Sequence, residues 1–264
     1  MKYVVLSFDD GRKDFYQYAL PILKKYNLTA TLNVIADYIG REDLPNFATA
    51  GHACMNRSEI LESKKWGIEI ANHATDHSNR VEAILDGQEK LNYLLGREEC
   101  LGFASPASYI CRENFSTYQS LCTKKRIAYL RSGNQIRRDG KFYMLLYLLY
   151  RLTKFSRLFY WYNLRNYIDL DKKEYIQEIF PSVTCSIETA KKDIVSLINN
   201  MKDNHALILM FHSILPKTSP NWLADKWCNS TDDFEDICSF LANDADIRVV
   251  TNMQLNDIMQ DYAQ

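Results

Sequence analysis

The sequence predicts an α/β fold whose mostly parallel sheet closes into a barrel. Short apolar, β-rich runs alternate along the chain with amphipathic segments of helical period. Residues with chemistry to offer fall where those runs end, the edge at which parallel βα folds gather their sites. The chain has 264 residues, 47% of them hydrophobic, enough for one domain over 1–264 with a substantial core; neither repeats nor low-complexity tracts divide it.

The elements follow in order. Residues 3–8, YVVLSF, are an apolar run of the kind buried on both faces. Residues 15–26 have helical spacing, with Pro21 an interior residue expected to kink the helix. Residues 29–35 are the next β-rich run, 58–65 suit a short helix capped by Ser58, and 67–71 suit a strand. Residues 81–95 repeat apolar side chains at helical period and meet Gly96, a stop signal. Strands are expected at 101–105, 127–131, 206–211 and 247–251, and helices at 187–201 and 232–241.

Charge and cysteine usage narrow the class. Lys and Arg (32) balance Asp and Glu (33), which argues against a nucleic-acid-binding surface. Seven cysteines with no C-x-x-C pair suit a reducing compartment better than a disulfide scaffold. The first strand leaves no room for a signal peptide before it, so the expectation is a cytoplasmic protein.

Three constellations carry chemistry. Asp9 and Asp10 sit side by side at the end of the first strand, where each raises the other's proton affinity unless a cation or donor is present. One carboxylate binding a metal while the other stays free as a base resolves the conflict; an ordinary Asp-Gly turn is the plain alternative. His73 and His77, in "NHATDH", are four residues apart, a spacing that on a helical turn puts both imidazoles on one face. With a carboxylate such as Asp10 they make a two-histidine, one-carboxylate set that leaves coordination positions open. Asp76 or Asn72 is a candidate to orient such a ligand. His212 ends the apolar run "ALILMF", on the same edge. His52 and His205 lack such a setting and read as surface residues.

Taken in this order, "SFDDG", "HATDH" and an apolar strand ending in histidine resemble the polysaccharide deacetylase family, carbohydrate esterase family 4, over roughly residues 3–258. The resemblance implies a distorted (β/α) barrel that hydrolyses the N-acetyl group of an amino sugar with one divalent metal ion. It makes Asp9 the general base, Asp10, His73 and His77 the metal ligands, and His212 the general acid. Two nitrogens and one carboxylate suit zinc, with cobalt or nickel able to substitute.

The chain departs from the family pattern at three places. Arg12 stands where the family usually has proline. In "GFASPAS", Ala104 occupies the position of an arginine that holds the catalytic aspartate, and Ala107 that of an aromatic residue. The backbone N–H of Ala107 still offers an oxyanion donor. Arg131, ending the next strand, is the expected replacement cation, in contact with Asp9.

An apparent insertion from about 140 to 181 is rich in aromatic and aliphatic residues, interrupted by Arg151, Lys154 and Arg157. It is too broken to span a membrane and reads either as a helical cap or as a basic, aromatic helix making peripheral membrane contact through 142–165, at the membrane's inner face. The expected substrate is an N-acetylated amino-sugar glycan, or a lipid-linked or nucleotide-linked sugar. Alternatives are a deformylase or other deacylase of a lipid-linked amino sugar, or a carbohydrate-binding protein of the same fold with impaired turnover.

Overall fold

Strand β1 (Lys2–Phe8) is buried from Tyr3 onward and forms the seam of the fold. In the computed structural model, which describes residues 1–42, 53–108, 110, 115–133, 141–172, 179–222 and 224–263, β1 pairs in parallel with β8 (His205–Phe211), from Tyr3 opposite Ala206 to Phe8 opposite Phe211. On its other edge, the first half of β1 pairs with β11 (Ile247–Val250), and Ser7 and Phe8 pair with β2 (Thr31–Val34). The sheet runs on through β3 (Glu69–Asn72), β4 (Phe103–Ala104), β5 (Leu130–Gly133) and β7 (Ile179–Thr184) to β8. The β1–β8 pairing closes these seven parallel strands into the expected barrel.

The distortion takes the form of two forks. Strand β8 divides as β1 does: His205 and Ala206 pair antiparallel with β6 (Ile168–Asp169), whereas Leu209 and Met210 pair with β7. The ring is therefore continuous at the C-terminal edge of the strands and split at the N-terminal edge. Where β11 and β2 diverge, Glu69 fills the gap. It accepts hydrogen bonds from Tyr129 Oη (2.6 Å), Thr31 Oγ1 (2.7 Å) and the Met253 N–H (3.0 Å). Burial raises Glu69 above the usual carboxylate range even against these donors, which are all neutral.

The helices differ from the sequence reading in instructive ways. Residues 15–26 form a π-helical turn, Phe15–Ala19, followed by α1 (Leu20–Lys25). The wider turn places Pro21 in the first turn of α1, where its missing N–H leaves no partner wanting, so the expected interior kink becomes a start. Helix α2 (Arg57–Lys65) is capped not by Ser58 but by Asn56, in a reciprocal box with Glu59: each side chain accepts the other's backbone N–H. Helix α3 (Val81–Leu95) stops at Gly96 in the left-handed conformation, as read from the sequence.

The expected insertion ends too late. Its last residue, Pro181, lies inside β7, opposite Ser132 of β5. The described part of the segment includes two helices, α5 (Lys141–Thr153) and α6 (Ser156–Asn163), ahead of β6, and no single amphipathic helix joins Arg151, Lys154 and Arg157, because Lys154 takes a left-handed conformation at the break. Helix α4 (Phe115–Thr123), α7 (Lys191–Asn199), α8 (Thr231–Asn243), α9 (Asn252–Ala263) and a small parallel pair, β9 (Ser213–Leu215) with β10 (Cys228–Ser230), complete the description. His205 is half-buried at the N-terminal end of β8, and His52 lies outside the described residues.

Gly102, just before β4, packs directly against a buried aromatic ring. A Cβ there would come within 1.9 Å of the Tyr129 ring that donates to Glu69. Tyr129 is fully buried and stacked on Phe180, so it has no empty space to move into. Gly102→Ala is expected to lower stability by about 1–3 kcal/mol, read as a shift in the urea midpoint with an unchanged slope.

Candidate active site

The site is built on the closed edge of the barrel. The Asp9 N–H donates to Phe211 O at 2.9 Å, extending the β1–β8 ladder by one residue before the chain reverses. The reversal uses two consecutive left-handed residues, Asp10 (φ 74°) and Gly11 (φ 66°). The Asp-Gly pair is thus a turn as well as a site, because the turn is what presents both carboxylates to one cavity.

Asp9 is buried and held from two sides. Arg131 of β5 donates through Nη2 to both carboxylate oxygens, at 2.6 and 2.7 Å, and Asn33 of β2 donates to Oδ1 at 2.8 Å. Burial pushes the Asp9 pKa up, but the attraction of Arg131, with help from His73 and His212, brings it net below the ordinary carboxylate value. Arg131 lies directly opposite Ala104 in the β4–β5 register. The guanidinium missing at 104 is therefore supplied one strand over, at the same level of the barrel.

Asp10 faces the two histidines. His73 follows β3, and its Nδ1 lies 2.8 Å from Ala104 O. A carbonyl only accepts, so Nδ1 carries a proton, and Nε2 is the ring nitrogen turned toward Asp10. Nε2 of His73 and of His77 each lie 3.5 Å from Asp10 Oδ1. Asp10 Oδ1 and His73 Nε2 are buried without a hydrogen-bond partner. The expected helical turn is absent: residues 73–78 form an irregular loop with Ala74 and His77 left-handed, and this bending brings the two rings together, centroids 4.9 Å apart. Asn72 braces the loop by accepting the Ala74 N–H and donating to Ile84 O, whereas Asp76 pairs with Arg80 at the surface.

The donor set fits a divalent cation. One donor atom from each of Asp10, His73 and His77 lies within 4.8 Å of the others. Burial raises the Asp10 pKa, but Arg12 and His73 outweigh it and hold the group well below the usual range. Burial, with repulsion from His73, pushes the His77 pKa down to about 4. At neutral pH the cluster is thus an ionised carboxylate with His77 neutral, a protonation state suited to ligating a metal.

His212 directly follows β8 and is half-buried, its ring packed against Trp227 with centroids 5.5 Å apart. Burial lowers its pKa, and Asp10 and Asp9 oppose the shift. Asp9, Asp10, His73, His77 and His212 line one cavity of about 310 Å³, together with Ala107 and Gly133. Helices α5 and α6 supply an aromatic wall of Tyr147, Tyr150, Phe159 and Tyr162, so the segment read as an insertion contributes directly to the site.

Residues 1–101, which carry β1 to β3 and both aspartates and histidines, match the family model described as polysaccharide deacetylase. The match covers less than half of the chain, and it is to this stretch that the likeness to the model is confined. Two relatives align over the same kind of short segment. YxkH of Bacillus subtilis, which bears a polysaccharide deacetylase name, is 37% identical over 76 residues, 29% of this chain and 24% of that protein. The poly-β-1,6-N-acetyl-D-glucosamine N-deacetylase of Staphylococcus aureus is 34% identical over 77 residues, 29% of this chain and 25% of that one. The chain thus aligns with about a quarter of the length of these relatives. The solved structure of peptidoglycan deacetylase PdaC from Bacillus subtilis covers 98% of this chain and 92% of its own, with a TM-score of 0.50 and 16% identity, and shares the fold.

Around this cavity, sequence reasoning missed Asn33, Asp225 and Trp227, and saw Arg12 only as a departure from the family pattern. Asn33 left a signal, a lone amide inside the β-rich run TLNV; Asp225 and Trp227 lie in a loop with no pattern of its own. Arg131→Met would strand the Asp9 carboxylate in the interior with Asn33 but no arginine. It is expected to cost about 3–5 kcal/mol in chemical denaturation, and adding Asp9→Asn should recover much of that loss.

Proposed function

We propose that the protein is a metal-dependent hydrolase that removes N-acetyl groups from an amino sugar in a glycan. The observation that carries this reading is the juxtaposition, in one cavity, of a three-donor metal cluster with an arginine-held carboxylate outside that cluster. The Staphylococcus aureus relative is named for N-deacetylation of an N-acetylglucosamine polymer, which favours a substrate of that chemical class. Arg131 also weighs against the reading as an impaired binding protein, since the cation lost at position 104 has a replacement. On this reading residues 1–264 form one catalytic domain, with α5 and α6 as a wall of its own site.

Asp10, His73 and His77 would hold the ion, zinc by their chemistry. When bound, a divalent metal polarises the amide carbonyl and lowers the pKa of water beside it. The chain's own groups do the rest. Asp9 takes the proton of the attacking water: its low pKa keeps it ionised, and Arg131 and Asn33 fix its orientation. The Ala107 N–H is the candidate donor to the oxygen that gains charge. His212 delivers a proton to the departing amine, which could not leave as an anion; the nearby aspartates favour its charged form against the effect of burial.

The outer face of α5 suggests a place of work, an anionic phospholipid surface. Phe142, Leu145, Leu149 and Leu152 are exposed along the helix, and residues 141–168 contain five basic residues and no acidic one. Among the described residues no helix is long and apolar enough to cross a membrane, so the contact would be peripheral. Wild-type protein should co-sediment with phosphatidylglycerol vesicles but not phosphatidylcholine ones, and Leu149→Asp/Leu152→Asp should stay in the supernatant. Equal sedimentation of the variant, or dimerisation through this face instead, would refute the membrane reading.

The two aspartates separate the roles. Asp9→Asn should reduce acetate release from N-acetylated glycan oligomers by roughly 10²–10⁴ while retaining metal. Asp10→Asn should lose the metal itself, measured by elemental analysis. Equal metal loss in both would mean the roles are wrongly divided.

A further inference from the structure

Arg12 is almost completely buried, and its three nitrogens are all engaged. Nε and Nη2 both donate to the same atom, Asp10 Oδ2, at 2.9 and 2.7 Å. Nη1 donates to Ser213 Oγ at 2.6 Å and to Asp225 Oδ2 at 2.8 Å. Ser213 is the residue after His212. Asp225 accepts the Trp227 N–H through its other oxygen at 2.8 Å, and the Trp227 ring packs on His212. One guanidinium thus joins the carboxylate at the end of β1 to the wall that carries His212.

We propose that Arg12 is a positioning residue that makes Asp10 a one-oxygen ligand, and that it thereby sets the affinity and coordination number of the bound metal. The proposal rests on the reading of Asp10, His73 and His77 as the metal site. Two charge-assisted hydrogen bonds converge on Oδ2 and leave Oδ1 alone on the histidine side, buried and without a hydrogen-bond partner. To offer both oxygens, the carboxylate would have to rotate and break both bonds to a buried cation. The second carboxylate, Asp225, matters equally. It neutralises Arg12 from the far side, so the guanidinium is anchored independently of Asp10 and stays in place whether or not a metal is bound. Lysine could supply the charge but not two donors converging on one oxygen with a third directed away. Groups that orient a metal ligand in this way change metal affinity by roughly 10–100-fold when removed.

The test uses the full chain, titrated with zinc against a chromophoric chelator and separately with cobalt(II), whose visible absorption weakens as ligands are added. Arg12→Met is expected to bind zinc roughly 10–100-fold more weakly. It should also give a weaker cobalt spectrum, because Oδ2 is released to join Oδ1 on the ion. Arg12→Lys should behave like Arg12→Met, which separates the geometry of the fork from its charge. Wild-type affinity and spectrum in both variants would overturn the proposal and leave the metal site standing. Failure of the wild-type chain to bind either ion would overturn the site, and the proposal with it. If Arg12→Met does not fold, Asp225→Asn decides: it leaves Arg12 present but loosens its far anchor. A shift in the same direction supports the proposal, and unchanged binding with an unchanged spectrum refutes it.

Discussion

Two carboxylates that are neighbours in sequence are buried together at the end of β1, and each is neutralised by its own guanidinium. Two such charges in a poorly screened interior repel each other by several kcal/mol if nothing intervenes. Burial alone would push both toward their neutral forms, and in both cases an arginine is the main force reversing that tendency. The two solutions differ in reach. Arg131 comes from the far side of the barrel and fixes β1 relative to β5. Arg12 comes from two residues along the chain and fixes Asp10 relative to β9 and the loop of Asp225. The surrounding architecture exists to bring these cations in from separate directions while leaving the cavity side of each carboxylate open.

The opposite edge of the same sheet handles a buried carboxylate by other means. Glu69 meets neutral donors only, and its proton affinity rises where that of the aspartates falls. The contrast follows from what each end has to do. At the split end, Glu69 is a hydrogen-bond acceptor that fills a gap between diverging strands, and an uncharged or charged form serves equally well for that. At the continuous end, the proposed roles of ligand and proton acceptor call for ionised groups, and a cation beside each one favours that state. The forks in β1 and β8 let one sheet accommodate both: the site edge is a closed ring, and the other edge admits β6, β11 and the start of α9.

The barrel, and the residues that it gathers at its closed edge, were legible in the sequence because their signals are local. Asp9, Asp10, His73 and His212 each terminate or directly follow an apolar run, and the strands at 3–8, 206–211 and 247–251 lie within a residue of where those runs place them. What was not legible depends on distance or on a competing local signal. Pro181 argues against a strand, so β7 was absorbed into an insertion; it is tolerated in a sheet position that local propensity disfavours. Arg12's other two partners, Ser213 and Asp225, lie more than 200 residues away, so nothing near position 12 announces the bridge that it makes from Asp10. The spacing of His73 and His77 suggested a helical turn, yet the rings converge through two left-handed residues that spacing cannot reveal. Asn56 outranks Ser58 as a cap because Glu59 stands at the position that completes the box, a relation that is readable in retrospect.

The register that sets Ala104 opposite Arg131 has a consequence for how the site is specified. Because the two positions stand side by side on adjacent strands, the barrel fixes the point in space beside Asp9 where a cation is needed more tightly than it fixes the residue number that supplies it. A carboxylate buried this deeply tolerates a change of supplier only where one guanidinium remains in contact with it.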